Sequence, residues 1–319
     1  MLSVVVCTYN GAKYIQEQLD SILGQTMPVD EIVICDDGST DDTLEKVERA
    51  GKDCHCQFRV FQNERKLGFK ANFFNAIDRC NGDLVFLADQ DDVWHPDEVK
   101  TVVDWFESHP DKNVVFSDAS LIDENGVARD GSLWQRFGFD KKKQRFFEHG
   151  CAMDIWMWSN RATGATMAVR KHFVDTTSWK GIADGYHDSI IAWQGIVSHS
   201  IGCIPKKLMN YRLHDEQVCG AENMPAELFY SPLKPCPNVP VKCDIHNFPE
   251  EEQKRVDFIV KRAFFKNIWF GWGTISHLTS YVKTYRGWAI RFFAYDLYIS
   301  VKHSLKRVKN ECFCHSCCI

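Results

Sequence analysis

Over its first 120 residues the chain alternates short, unbroken apolar runs with stretches of helical spacing. Residues 2–7 (LSVVVC) form the first run, and apolar positions 12, 15, 19, 22 and 23 then follow the i, i+3, i+4 interval of a helix over 11–25. A second run at 31–35 (EIVIC) ends in DDGSTDDT. That segment reads as a turn and a helix start, in which Ser39 or Thr40 can cap and Asp41 and Asp42 suit the positive helix end. Residues 57–62 give a third strand, 69–79 a helix, 84–88 a fourth strand and 114–117 a fifth. Pro96 starts the helix between the last two, at a position that needs no amide donor. Strands that alternate with helices in this way predict an α/β fold, a mostly parallel sheet covered on both faces.

The texture then changes. Residues 129–160 are rich in Trp, Phe and Lys without a clean period. From 163 to 213 the α/β pattern returns: ATMAVR reads as a strand, HDSIIAWQGIVSHS as a helix and GCIPKKLMNYRLH as an extended piece. Many of the prolines fall in 220–250, which reads as a loop or linker, and no internal repeat is visible.

Composition sets bounds on this picture. A chain of 319 residues that is 45% hydrophobic and 13% aromatic can bury a large core and is not disordered in character. A net charge of −5 gives no global attraction for nucleic acid, so no nucleic-acid partner is expected. The fourteen cysteines raise the question of redox compartment. The opening MLSVVVCTYNGAKYI has no basic segment followed by a long apolar one, so a cytoplasmic chain with reduced thiols is expected. The tail CFCHSCCI can bind a metal but lacks a second ligand pair at structural-zinc spacing, and a frayed, reduced tail is the plainer reading.

Between 255 and 309 the chain carries eleven Lys or Arg against two acids, among many aromatics. Arg291 and Asp296 interrupt its most apolar part, so no spanning helix is predicted. Such a basic, aromatic segment can lie peripherally on the inner face of an anionic membrane. It can equally be a helical pair packed on the rest of the protein or in a dimer contact.

Ligands in open parallel sheets bind beyond the carboxyl ends of the strands. That rule gathers Thr8-Tyr9-Asn10-Gly11, Asp36-Asp37-Gly38-Ser39, the loop with Asn63 and Gly68, and Asp89-Gln90-Asp91-Asp92 on one rim. Three carboxylates in four positions repel one another by about 1–4 kcal/mol per pair. If strand geometry persists through Asp91, Asp89 and Asp91 point to the same side. Two carboxylates there suit Mg2+ or Mn2+, with water and phosphate oxygens filling the other positions. The alternative is an acidic turn in which Asp91 or Asp92 caps the next helix.

CTYNGAKYIQEQLDSIL, IVICDDGSTDDT, NERKLGFKANFFNAI and GDLVFLADQDDVW, in this order and spacing over about residues 1–125, resemble the nucleotide-binding half of family-2 glycosyltransferases with the GT-A fold. DQDDVW, GATMAV and YRLH look most like the branch described as rhamnosyltransferases. The resemblance implies a Rossmann-like nucleotide-sugar-binding half over 1–125 and an acceptor and catalytic half over 126–219. The 220–254 linker and the helical extension 255–319 then follow. It also implies roles for single residues. Thr8 and Tyr9 contact the nucleoside, with Tyr9 on the base and Asn10 beside them. Asp37, or Asp36 next to it, holds the base or ribose edge. Asp89 reaches the ribose or sugar, Asp91 holds the metal on the diphosphate, and Lys70 and Asn72 lie near the nucleotide. For Lys70 the plain alternative is a solvated helix residue.

In the second half the resemblance places the general base at the start of a helix, where GYHDSIIAW offers Asp188, preceded by His187 instead of the acid often found there. His187 is a second candidate base, and a helix cap is the plain alternative for Asp188. Gly164 lets the backbone approach the donor sugar. Arg212 pairs with phosphate, and His214 is a further metal ligand or phosphate donor, or structural. Trp134, Trp156 and Trp158 form either a sugar-stacking wall or local core. The expectation is a metal-dependent, inverting transfer from dTDP-rhamnose or a UDP-sugar to a hydroxyl of a growing glycan or lipid-linked saccharide, in cell-surface polysaccharide or O-antigen synthesis. A metal-dependent phosphoesterase or nucleotidyl hydrolase and a non-catalytic nucleotide-sugar-binding module are the rivals.

Overall fold

A computed structural model describes residues 1–52, 54–148, 152–156, 160–174, 186–215 and 217. The 220–254 linker, the 255–319 extension with its cysteine tail, and Trp158 lie outside these residues.

The first four apolar runs fold as expected. Strands β1 (Leu2–Thr8), β2 (Glu31–Asp36), β3 (Gln57–Gln62) and β4 (Leu84–Ala88) lie parallel, with β1 between β2 and β4 and β3 outside β2. Every residue of β2 and β4 is buried, which is why they read as continuous apolar runs rather than alternating ones. The β3 edge is partly exposed, and its apolar pattern is correspondingly weaker. Helices α1 (Ile15–Leu23), α2 (Thr43–Lys52), α3 (Phe69–Arg79) and α4 (Glu98–Ser108) make the crossovers. Val4, Val6, Ile32, Ile34 and Phe86 form the core on one sheet face with α1, and Val5, Val33, Val85 and Leu87 form that on the other with α3.

Several boundaries differ from expectation. Helix α4 begins at Glu98, two residues after Pro96, with Asp97 at its N-cap. Ser39 and Thr40 do not cap α2. Asp41 accepts from the Thr43 amide and hydroxyl instead, while Ser39 and Thr40 bind the loop after β1. The expected fifth strand is longer, β6 (Val114–Ile122), and a short β5 (Val93–Trp94) precedes it.

Among the described residues the sheet has nine strands in the order β3-β2-β1-β4-β8-β6-β9-β5, and β7 (Ala128–Arg129) pairs with β6. Here β8 (Met167–Arg170) runs antiparallel between β4 and β6, and β9 (Ile201–Arg212) lies parallel to β6. One mostly parallel sheet therefore runs through both halves of the sequence. The described residues of the aperiodic 129–160 stretch form three short helices, α5 (Leu133–Arg136), α6 (Lys141–Glu148) and α7 (Ala152–Trp156). Trp134 and Trp156 are buried with Phe116, Phe139 and Phe147, so these two tryptophans are core rather than an exposed wall. Helix α8 (His187–Val197) packs on the same side of the sheet as α3. The six described cysteines are free thiols. No helix among the described residues is long and apolar enough to cross a membrane.

Candidate active site

The carboxyl ends of β1, β2 and β4 form a rim held together by cross-loop hydrogen bonds. Thr8 and Asp36 are register partners, and the Thr8 hydroxyl donates to Asp36 at 2.8 Å. Asp36 is fully buried and also accepts from the Gly38 and Ser39 amides and the Ser39 hydroxyl. Gly38, at φ +87°, makes the tight turn this requires. Asp37 accepts from Asn63 Nδ2 and from the Leu67 and Gly68 amides at 2.7–2.9 Å. Asn72 is buried below it, donating to the Cys35 carbonyl and accepting from Asn63. Both aspartates and Asn72 therefore fix the loops that shape the rim. Asn10, at φ +48°, accepts from the Thr40 amide at its side-chain oxygen and donates its own amide to the Ser39 hydroxyl oxygen, joining the first two loops. Lys70 is half-buried in the first turn of α3.

Tyr9 is different. The residue is 41% exposed, and its ring carries the Lys66 ammonium 3.4 Å from its centroid. The Tyr9 backbone exchanges two hydrogen bonds with the Gln90 side chain, at 2.9 and 3.1 Å. A Cβ on Gly11 would come within 2.2 Å of Gln90 Oε1. Gln90 thus couples the tyrosine loop to the acidic segment, a role the sequence did not reveal.

The acidic segment does not continue the strand. β4 ends at Ala88, and residues 89–92 turn. This turn, rather than side-chain alternation, brings Asp89, Asp91 and Asp92 together, with ligand oxygens within 4.8 Å of one another. Neither Asp91 nor Asp92 caps α4. Asp92 is completely buried and accepts the Arg212 amide at 2.9 Å, and Asp91 accepts from His214 Nε2 at 2.7 Å. Burial and the Asp91 and Asp188 charges push Asp89 up to about 8, and burial with the Asp91 and Asp89 charges raises Asp92. Asp92 Oδ2 is buried and has no hydrogen-bond partner. Three crowded hard oxygen donors, one of them an orphaned acceptor, fit a divalent cation such as Mg2+ or Mn2+. Asp92, which the sequence placed on the rim only as a possible helix cap, stands with Asp89 and Asp91 in this group of carboxylates.

Arg212 also stands apart from its expected role on a diphosphate. Its side chain is 2% exposed. It donates to the Asp91 carbonyl at 2.7 Å, to Glu17 at 2.5 Å and to the Asp123 carbonyl at 3.3 Å, and lies 4.6 Å over the Tyr14 ring. The guanidinium therefore braces the acidic turn against α1 and the end of β6. Arg212→Leu is expected to lower stability by about 2–4 kcal/mol, since it removes the hydrogen bonds of a guanidinium that is itself buried. Urea unfolding monitored by circular dichroism measures this.

The second half adds the remaining candidates. Asp188 lies in the first turn of α8, whose N-cap is Tyr186. It accepts from the Gly164 amide at 3.3 Å and the Ser189 amide at 2.5 Å. Burial raises its carboxyl to about 6. Gly164 is a packing requirement as well as a backbone contact, because a Cβ there would meet His187 Nε2 at 2.4 Å. His187 is buried, and neither ring nitrogen has a hydrogen-bond partner. Burial depresses it to about 3. Its ring stacks on Phe73 at 3.8 Å. The structure thus brings Thr8, Tyr9, Asn10, Asp36 and Asp37 onto one rim, gathers Asp89, Asp91 and His214 in the acidic turn, and sets Asp188 where its charge reaches Asp89.

Residues 3–177 match the family described as Glycosyl transferase family 2, a span that runs well past residue 125. The chain belongs to glycosyl transferase family 2. This family 2 chain is 26% identical over 227 residues to an uncharacterized glycosyltransferase of Haemophilus influenzae, covering 70% of this chain and 68% of the relative. It is 32% identical over 143 residues to the chondroitin synthase of Escherichia coli, covering 44% of this chain and 20% of that protein. Among solved structures, S. aureus TarS 1–349 in complex with UDP-GlcNAc is similar with a TM-score of 0.54 at 18% identity, covering 89% of this chain and 79% of that one. The glycosyltransferase thus has the GT-A fold expected from its sequence.

Proposed function

We propose that the protein is an inverting, divalent-metal-dependent glycosyltransferase in which Asp188 is the general base and Asp89, Asp91 and Asp92 hold the cation, with His214 at its edge. The observation that carries this reading is the pairing of two separate carboxylate stations. One is a cluster of crowded acids in a turn; the other is a lone carboxylate at the start of α8, close enough for its charge to raise Asp89. A cation bound at the first station would offset negative charge growing on the leaving diphosphate.

In the proposed reaction an acceptor hydroxyl oxygen attacks the anomeric carbon of the donor sugar. Its proton passes to an oxygen of Asp188, and the bond from the anomeric carbon to the diphosphate oxygen breaks, the electron pair leaving with the nucleotide. One displacement inverts the anomeric configuration. Tyr9 offers its exposed ring to the base, and Lys66 slides off the ring to admit it. Thr8, Asn10, Asp36, Asp37 and Asn72 preset the loops for the nucleoside, Gly164 leaves room for the sugar, and Lys70 flanks the nucleotide. Arg212 acts through the acidic turn it braces. The DQDDVW form supports dTDP-rhamnose as a first donor to test, with UDP-sugars next; the acceptor is a glycan or lipid-linked saccharide hydroxyl of the kind used in polysaccharide synthesis.

The test is release of free nucleotide from UDP-, dTDP- and GDP-sugars, with Mn2+ and with chelator. Cation-dependent release from one donor class is expected, and no cation-dependent binding or release from any of them rejects the reading. The rate should also rise with pH through about 6, because Asp188 must be ionised to accept a proton and its carboxyl titrates there rather than near the ordinary 3.8. A rate already flat from pH 5 upward would point away from Asp188.

A further inference from the structure

We propose that Phe69 and Tyr186 form a stacking platform for a pyranose ring of the acceptor saccharide. This rests on the transferase reading for its purpose, though not for its geometry. The two rings come from different halves of the sequence, Phe69 from the first residue of α3 and Tyr186 from the N-cap of α8. They stack with centroids 5.2 Å apart and planes 28° apart. Four residues further along α3, on the same helix face, Phe73 stacks on His187 at 3.8 Å and 15°. The two pairs are successive rungs of one ladder between α3 and α8.

The rungs differ in what covers them. Phe73 and His187 are 3% and 6% exposed, whereas Phe69 and Tyr186 are 37% and 40% exposed. The inner rung suffices to fix the two helices. The outer rung keeps aromatic surface in water that a ligand ring can cover. Its position is specific as well. Gly68, just before Phe69, gives its amide to Asp37 on the nucleotide side of the rim, and Asp188 is two residues after Tyr186. The platform therefore lies between the nucleoside loops and the proposed base. A pyranose ring has an apolar C–H face that fits an aromatic surface and a hydroxyl periphery that remains in water. With that face on the outer rung, a ring hydroxyl can turn toward Asp188. A nucleobase is the weaker occupant, because Tyr9 already offers an exposed ring at the end of β1.

Saturation-transfer NMR on the full chain tests this with methyl β-D-glucopyranoside, methyl β-D-galactopyranoside and methyl α-L-rhamnopyranoside as probes. Saturation is expected on the C–H protons of one ring face of at least one probe. It should persist in Tyr186→Phe and fall about five-fold in Phe69→Ala and in Tyr186→Leu, which keeps apolar bulk but removes the ring. Circular dichroism verifies folding of each variant, and the Phe and Leu replacements at 186 form the decisive pair if Phe69→Ala unfolds. No transfer to any probe, or equal transfer in the Phe and Leu variants, overturns the platform. Nucleotide release by the wild type separates this from the broader reading. Glycoside binding without cation-dependent release from any donor leaves the platform standing and the transferase rejected. Donor release without glycoside binding does the reverse.

Discussion

Asp91→Asn is expected to lower the rate of nucleotide-sugar turnover by at least about 10³-fold, equivalent to about 4 kcal/mol of transition-state stabilisation, and to abolish the Mn2+ dependence of nucleotide binding. The replacement keeps the side chain's volume and an oxygen within reach of His214, so the 2.7 Å contact can survive. What disappears is one of three carboxylates with oxygens within 4.8 Å of one another. Burial and, after it, the Asp91 charge hold Asp89 at about 8 and raise Asp92, so removing that charge relieves an unfavourable field at the cluster. The metal-free variant should therefore melt at or above the temperature of the metal-free wild type, and added Mn2+ should raise the melting temperature of the wild type alone. These opposite signs make the experiment specific, because a variant that lost activity by unfolding would melt lower. Calorimetric titration with UDP or dTDP, with and without Mn2+, reads the binding arm. Full turnover by Asp91→Asn after chelation would remove the cation from the mechanism.

Much of this site was legible in the sequence because its strands are buried on both faces and end abruptly in polar residues. Four of the six buried residues of β2, Ile32 to Cys35, form an apolar run that reads as a strand, and Asp36-Asp37 marks where it ends. Where the physics was non-local the sequence was silent. Arg212 reads as a phosphate ligand, yet its guanidinium meets Glu17, 195 residues away, and the Asp91 carbonyl, 121 residues away. Nothing in a YRLH string specifies such partners. The DQDD segment carried its chemistry openly but hid its shape: extended geometry would have paired two carboxylates, whereas the turn gathers three and buries Asp92. Residues 129–160 show no period because helices of four, eight and five residues are too short to display one. Phe69 and Tyr186 each look unremarkable in sequence, and only the packing of α3 against α8 makes them a pair.

Asp188→Asn should cost about 10²–10⁴-fold in kcat, the usual contribution of a positioned base, with donor affinity changed by no more than a few-fold. Amide and carboxylate have nearly the same shape, and the asparagine oxygen can still accept from the Ser189 amide at the start of α8, while the 3.3 Å bond from the Gly164 amide to the other carboxylate oxygen is lost. The contact within α8 is therefore kept, and the main loss is proton acceptance. If Asp188 merely steadied the helix, Asp188→Asn would stay within about two-fold of wild-type kcat, well short of the effect of losing a base. The stability of the variant gives an independent sign. Burial raises the native carboxyl to about 6 from the ordinary 3.8, so the native state holds this proton more tightly than the unfolded chain does. Raising pH through that window then removes stability from the wild type, as the native carboxyl is forced to ionise in place. The asparagine has no such proton, so its stability relative to wild type should increase from pH 4 to pH 7 while its activity stays low throughout. The same replacement should flatten the rise in rate near pH 6, since the group that titrates there is gone. His187, one position earlier, makes the opposite test: with both ring nitrogens buried, unpaired and depressed to about 3, it stays neutral across this range and has no hydrogen-bonded path to an acceptor proton. A variant at Asp188 that kept both the rate and its pH dependence would move the base elsewhere, and the two-station arrangement would no longer describe the reaction.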